Sequence, residues 1–273
     1  MGLLAPLLPA ATASGDLDAV RRAISDGVVD AVWVRDLPVV PVGDPDAGQF
    51  DDPFAYLARL APDGVTGLTL GTASVILGVR HPLVVARAAA AAQVVAAGRF
   101  VLGVGSGGKP AMNDVLGLGD RSDDLFAARW RALRAAVHGH VGAGVQLDLP
   151  GPLTPPPLYL ASARRSHWAA IDGDADGWMA FLDGWPLLDQ TLSAVTMTRG
   201  GNAPPMAVRV DLTLDGGPFR LGERGRLHCS PDVLADVFRR LRCYPVEHVM
   251  IRVVGPNPQR DLRAARAVWD GVT

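Results

Sequence analysis

A single (β/α)8 barrel of the TIM type is the fold class this sequence predicts, and three observations lead there. Short β-branched runs alternate with helical stretches along the whole chain, the pattern of successive βαβ units. Strands and helices each number about eight, the count that closes such a barrel. No repeat, low-complexity tract or long linker interrupts the alternation, so one domain is expected over residues 1–273, a length that barrels take as one unit. An open doubly wound sheet is the alternative, but no G-x-G-x-x-G stands between an early strand and helix to support it.

The elements follow in order. Strands are expected at Leu3 to Leu8, Ala31 to Arg35, Leu68 to Val75, Phe100 to Gly105, Leu158 to Ala161, Gly177 to Ala180, Met206 to Leu214 and His248 to Val254. Each precedes a helix: Asp16 to Ser25, Pro53 to Ala61, Pro82 to Ala97, Asp123 to His138, Arg164 to Ile171, Pro186 to Val195, Pro231 to Cys243 and Pro258 to Val268. End signals support several of them. Ser230 before Pro231 reads as an N-cap with proline at the first helical position, and the helix opened by Pro82 stops at Gly98. The opening MGLLAPLLPAATAS lacks a basic segment and is interrupted by Pro6 and Pro9, so it reads as a first core strand in place of a secretion signal.

Composition removes several function classes. Apolar residues make up 49% of the chain and charged ones 20%, enough to build a core and unlike a disordered or coiled-coil protein. The formal net charge of −2 with dispersed basic residues gives no reason to expect nucleic acid or an anionic membrane as partner. The apolar run from Pro82 falls short of the roughly 20 residues of a bilayer span and carries Arg87 and Gln93, so no membrane span is expected. Cys229 and Cys243 are the two cysteines, with no CxxC and no histidine at metal-ligand spacing, which points to a reducing, cytoplasmic setting and no metal site. Arginine replaces lysine almost throughout, a mark of a GC-rich genome and not of a function.

A barrel carries its chemistry at the C-terminal ends of its strands, so the residues just beyond each strand matter most. Asp36 follows the second strand, either as a loop cap or as a substrate or flavin contact. The polar loop from Leu37 to Asp51 is placed to cover part of the mouth. On the third strand Gly71, Thr72, Ala73 and Ser74 are small enough to let a flat ring lie on the backbone, or to pack closely against the next helix. His81 stands between Arg80 and Pro82 and is read as a structural hydrogen-bonder or a candidate base. The fourth strand ends in Gly105, Ser106, Gly107 and Gly108, followed by Lys109, the chain's only lysine. Glycines expose N–H groups and a flexible cation suits a phosphate, although the spacing is not that of a P-loop. After the fifth strand Ser162, Arg165 and Ser166 open a helix, as a phosphate-binding terminus or a plain cap. Trp178 offers an aromatic face at the next strand.

The segments DAVWVRDLP, DPFAYLARLA, LTLGTASVILGVRHPLVVARAAA, GRFVLGVGSG, PLYLASARRS and DADGW together closely resemble the bacterial luciferase-like, flavin-dependent monooxygenase superfamily. FRLGERGRL and the stretch from RDLP to DAGQFDDPF are similar to its smaller luciferase-type oxidoreductase group. The resemblance implies a TIM barrel with flavin at its C-terminal mouth and dimerisation through outer helices. It puts the non-prolyl cis peptide of the family at Ala73 to Ser74, and phosphate contacts at Ser106, Lys109, Ser162 and Arg165 or Ser166. Thr72, Gly105 and Trp178 are further candidate cofactor contacts. The luciferases proper carry a histidine after the second strand and a cysteine at the end of the fourth, where this chain has Asp36 and Gly105, a departure that argues against aldehyde chemistry and light emission. The implied activity is oxidation of a small organic substrate by oxygen and reduced FMN, the latter delivered by a separate reductase. Hydride transfer with the deazaflavin F420 is the alternative within the superfamily, and a flavin-binding protein without turnover the alternative outside it.

The helix from Pro82 to Ala97 makes one further expectation independent of any family. Arg87 and Gln93 are its only polar side chains, so whichever face meets the barrel leaves an outer face of Ala and Val, and a two-fold homodimer through this helix follows.

Overall fold

The computed structural model describes residues 1–8, 13–39, 51–61, 67–107, 110–118, 122–142, 144, 146–149, 154–216, 220–221 and 226–272. Its strands are β1 (Gly2–Leu4), β2 (Ala31–Val34), β3 (Thr69–Ile76), β4 (Phe100–Gly105), β5 (Leu158–Leu160), β6 (Gly177–Phe181), β7 (Met206–Leu214), β8 (Arg220–Leu221), β9 (Arg226–Cys229) and β10 (Val246–Val253). The helices are α1 (Ala13–Ser25), α2 (Pro53–Leu60), α3 (Pro82–Val95), α4 (Pro110–Val115), α5 (Asp123–Val137), α6 (Arg165–Ala170), α7 (Trp185–Thr198), α8 (Pro231–Leu241) and α9 (Pro258–Gly271). Strands β1 to β7 pair in sequence order, all parallel, and β10 pairs with both β7 and β1. The eight strands therefore close into a TIM barrel.

Alternation along the strands divides the core in two. One set of side chains, including Leu3, Val32, Leu70, Leu102, Leu160, Val208 and Ile251, packs outward under the helices. The other, Leu4, Trp33, Val101, Tyr159, Met179 and Met250 among them, fills the barrel itself. Trp33 is fully buried, and its room comes from Gly71 on the neighbouring strand, where a Cβ would lie 2.3 Å from the indole. Gly71 thus serves the barrel interior, which is neither of the uses foreseen for it. The helices dock by apolar stripes: Leu234, Val237, Phe238 and Leu241 of α8 recur at helical spacing and are all buried, each contributing roughly 1.5 to 3 kcal/mol.

Caps set the helix starts that matter for the barrel mouth. Asp52 accepts hydrogen bonds from the N–H of Phe54 (2.9 Å) and Ala55 (3.2 Å) ahead of Pro53, and Ser122 accepts from Leu125 N–H at 3.2 Å. Ser230 occupies the N-cap position of α8 but makes no side-chain cap bond. The first strand is shorter than its apolar run, ending at Leu4, with Pro6 in a cis peptide two residues on. The short elements α4, β8 and β9 were not expected, because they are too brief to show a period. Gln93 points inward from α3, donating to the Thr154 carbonyl at 2.7 Å and accepting from Phe100 N–H at 2.9 Å. The outer face of that helix holds Val84, 61% exposed, and Val94, 48% exposed, with Arg87 between them.

Candidate active site

The mouth of the barrel is shaped first by an irregularity in β3. Pairing with β4 shifts register between Thr72 and Val75, and the Ala73–Ser74 peptide bond is cis. Bulges of this kind re-aim a strand. Here the bend brings Ala73 and Ser74 to a cavity of about 290 Å³, near the lower end of the range for small-molecule sites. Ala161, Ser162 and Ala163 follow β5 on one side of it. Trp178 to Phe181 of β6, Asp183, Arg209 of β7 and Met250 of β10 form the remainder, and Leu187, Leu188 and Thr191 of α7 lie against it.

Four residues singled out from the sequence line this one cavity: Ala73, Ser74, Ser162 and Trp178. Others stand behind or beside it. Thr72 is fully buried and donates to the Gly103 carbonyl at 2.9 Å. Gly105 backs Ser74, whose Oγ would be 2.8 Å from a Cβ there. Ser106 is half-buried and bonds the Gly107 carbonyl at 3.2 Å. Arg165 and Ser166 are exposed on α6. Lys109 and most of the Leu37 to Asp51 loop lie outside the described residues.

Asp36 and His81 are set apart from the cavity and do not line it. His81 is the N-cap of α3, its Nδ1 accepting from Leu83 N–H at 3.3 Å. Asp36 is 3% exposed and accepts from Ile76 N–H at 3.0 Å and from Arg80 twice. Those bonds tie the tops of β2 and β3 together. Hydrogen bonds to Asp36, acting against burial, hold the Arg80 guanidinium above its usual range.

The indole Nε1 of Trp178 has no hydrogen-bond partner among the described residues although the side chain is 2% exposed. A buried donor left so is costly. Arg209 forms a planar pair with Asp211, Nε to Oδ1 at 2.7 Å and Nη2 to Oδ2 at 2.8 Å, and its guanidinium lies 4.6 Å from the centre of the Phe181 ring. Arg252 donates to the same carboxylate at 3.0 Å. Burial raises the pKa of Asp183, as does the negative charge of Asp211, with Arg209 opposing. Arg209 and Asp211 escaped the sequence reading. The signal was present: two charged residues at alternate positions inside MAVRVDLTL, a largely apolar strand, must share one face.

Among the described residues no group of His, Cys, Asp or Glu is arranged to hold a metal ion, and no helix is long and apolar enough to cross a membrane. The cavity offers a small-residue floor, an apolar body and the polar side chains of Ser74, Ser162, Asp183, Thr191 and Arg209.

Comparison with known proteins gives the same architecture a family. No curated protein matches the chain in sequence. Among solved structures, apo-MsnO8 superposes with a TM-score of 0.77 at 16% identity, covering 100% of this chain and 98% of that one. An F420-dependent secondary alcohol dehydrogenase, solved with an F420-acetone adduct, gives 0.76 at 16% identity over 100% and 98%. The oxygenating constituent of 3,6-diketocamphane monooxygenase from the CAM plasmid of Pseudomonas putida, solved with FMN, gives 0.71 at 12% identity over 100% and 98%. At these identities the likeness establishes the fold. The luciferase-like monooxygenase family model matches residues 16–195, from α1 through most of α7. The chain belongs to the luciferase-like monooxygenase family, a family of enzymes.

Proposed function

We propose that this protein is a flavin-dependent monooxygenase that uses reduced FMN and oxygen on a small organic substrate. The observation that carries the reading is the cavity at the C-terminal mouth, floored by Ala73 and Ser74, walled in part by Trp178 and bordered by the polar side chains of Ser162, Asp183 and Arg209. Small floor residues, apolar walls and a few polar groups suit a flat heteroaromatic ring with polar edges. Ser162, with Lys109 and Ser106, would hold the anionic tail, and Ser74 with Trp178 the ring. FMN would supply the redox chemistry, donating two electrons so that one oxygen atom enters the substrate and the other leaves as water. Phe181, Leu187 and Met250 would keep water from the reacting atoms, and the Arg209–Asp211 pair would orient the polar part of a substrate.

F420 is the second reading, favoured by the full-length match to an F420-dependent alcohol dehydrogenase. It calls for hydride transfer without oxygen. For either cofactor we propose a two-fold homodimer through the Val84 and Val94 face of α3, and for FMN its reduction by a separate reductase. The free thiols of Cys229 and Cys243 suit a reducing, cytoplasmic setting.

Absorbance spectra of the purified protein titrated with FMN and with F420 test the cofactor. Saturable perturbation by FMN, followed by oxygen consumption coupled to substrate loss, is expected. Saturation by F420 alone moves the reading to hydride transfer, and saturation by neither overturns it. Replacing Lys109 by Ala should weaken FMN binding by about 1.5 to 3 kcal/mol, the scale of a charged hydrogen bond.

A further inference from the structure

Ser162, His167 and Asp123 form a line from the cavity wall into the seam between α5 and α6, joined by a hydrogen bond between the first two and a charge contact between the last two. Ser162 Oγ lies 2.9 Å from His167 Nδ1, and His167 Nε2 lies 3.3 Å from Asp123 Oδ1. The imidazole is 2% exposed and stacks on the Phe126 ring with centroids 4.7 Å apart. Among the described residues, charged groups meet the ring's surroundings from two elements. Asp123 comes from α5, and Arg164, at the start of α6, places its guanidinium 3.9 Å from the same Asp123 oxygen. The Arg164 backbone N–H also donates to Ser162 Oγ at 3.1 Å.

The direction of these bonds follows from what each atom can do. The negative charge of Asp123, 3.3 Å from Nε2, favours the tautomer with its hydrogen there. In the neutral imidazole Nδ1 is then an acceptor, and the Ser162 hydroxyl proton points at it. Ser162 in this state accepts from Arg164 and donates to His167, so it has no proton to offer an anion in the cavity. Protonation of Nδ1 reverses the bond: Nδ1–H donates to Oγ, and the hydroxyl proton is released toward the cavity. Asp123 stays beside Nε2 in both states, and its negative charge favours the imidazolium.

We propose that His167 and Asp123 are positioning residues that couple the binding of an anionic group at Ser162 to the uptake of one proton. The proposal rests on the reading that Ser162 holds the cofactor's phosphate, and it adds a pH dependence that this reading does not contain. One proton linked to binding changes affinity at most tenfold per pH unit, on the alkaline side of the histidine's titration.

The test measures FMN affinity by quenching of flavin fluorescence from about pH 5.5 to 8.5, the range a histidine titrates through. Wild type, Ser162→Ala and His167→Asn are compared, with riboflavin, which lacks the phosphate, in parallel. Phosphate ionisation of FMN itself cancels in the ratio of wild-type to Ser162→Ala affinity. That ratio is expected to rise toward acid by up to about tenfold per pH unit and to be flat for riboflavin. In His167→Asn a carboxamide N–H donates to Ser162 without titrating, so the ratio should be high and independent of pH. A flat wild-type ratio, or an unchanged slope in His167→Asn, overturns the proposal. If His167→Asn does not fold, Asp123→Asn serves, and the midpoint should move to lower pH. If FMN does not bind at any pH, the cofactor reading fails by itself, and the His167 ring is titrated by NMR with sulfate. A midpoint raised by sulfate keeps the coupling, and an unmoved one removes it.

Discussion

Arg80 grips Asp36 with two parallel hydrogen bonds, Nε to Oδ2 at 2.7 Å and Nη2 to Oδ1 at 2.8 Å, across the tops of β2 and β3. The same guanidinium reaches Asp52, the N-cap of α2, at 2.6 Å. One side chain thus joins two barrel strands and the helix between them, immediately beyond the irregular turn at Ala73 and Ser74. Replacing Arg80 by Ala leaves the Asp36 carboxylate buried without its countercharge, which costs about 3 to 5 kcal/mol. Thermal unfolding should fall by roughly 10 °C. Lysine should recover part of this, since it keeps the charge and loses the fork. A melting temperature unchanged in the alanine variant would show the pair to be dispensable.

Gly71 and Trp33 test the packing inside the barrel. A Cβ at Gly71 would stand 2.3 Å from two carbons of the indole, inside any real contact distance. Gly71→Ala should destabilise by about 1 to 3 kcal/mol in denaturant melts. Combining it with Trp33→Leu should cost less than the sum of the two single changes, because the smaller side chain leaves room. Additive costs would mean that the strain is relieved elsewhere.

The acid limb of stability should depend on Asp176. Burial by itself would raise its pKa, but hydrogen bonds from Arg134 (2.5 and 2.8 Å) and from Leu158 N–H (2.8 Å) outweigh that and hold it below the ordinary carboxylate value. A carboxyl lowered in the folded state contributes stability above its unfolded pKa and loses it as the pH falls through the folded one. Arg134→Ala should therefore move acid unfolding to higher pH, with a smaller change at pH 7 than a fully buried pair would give, because both side chains are partly exposed. Circular dichroism against pH reads this directly, and superimposable acid limbs would refute it.

The outer face of α3 is open to a solution measurement. If Val84 and Val94 lie in a two-fold interface, changing either to Asp places two like charges near the axis and removes apolar burial worth roughly 25 cal/mol per Å². Sedimentation equilibrium should then shift from dimer to monomer at micromolar concentration. A wild-type monomer would end the proposal, and an unshifted dimer would place the interface elsewhere.

The barrel was legible in the sequence because its signals are local. The alternation of β-branched runs with helical stretches needs only neighbours within a few residues, and β7 occupies Met206–Leu214, the same span that its apolar pattern marks. Proline and glycine punctuate α3 in the same local way, from Pro82 to the left-handed Gly98. Position along a barrel strand also singled out Ala73, Ser74, Ser162 and Trp178, which share one cavity.

Tertiary structure decided the rest. Ala73 and Met250 line the same cavity from strands far apart in the chain, and no periodicity reports which inward positions share a layer. Asp36 sits at the rim as expected, but whether its carboxylate meets a ligand or Arg80 depends on the bend that carries β3 past it. Gly71 is small for the sake of Trp33 on the adjacent strand, a relationship set by the register of β2 against β3. Helix and strand periods are properties of a few consecutive residues, whereas a cavity is a property of closure, fixed only when β10 pairs with both β1 and β7 and turns eight separate strand ends toward one point.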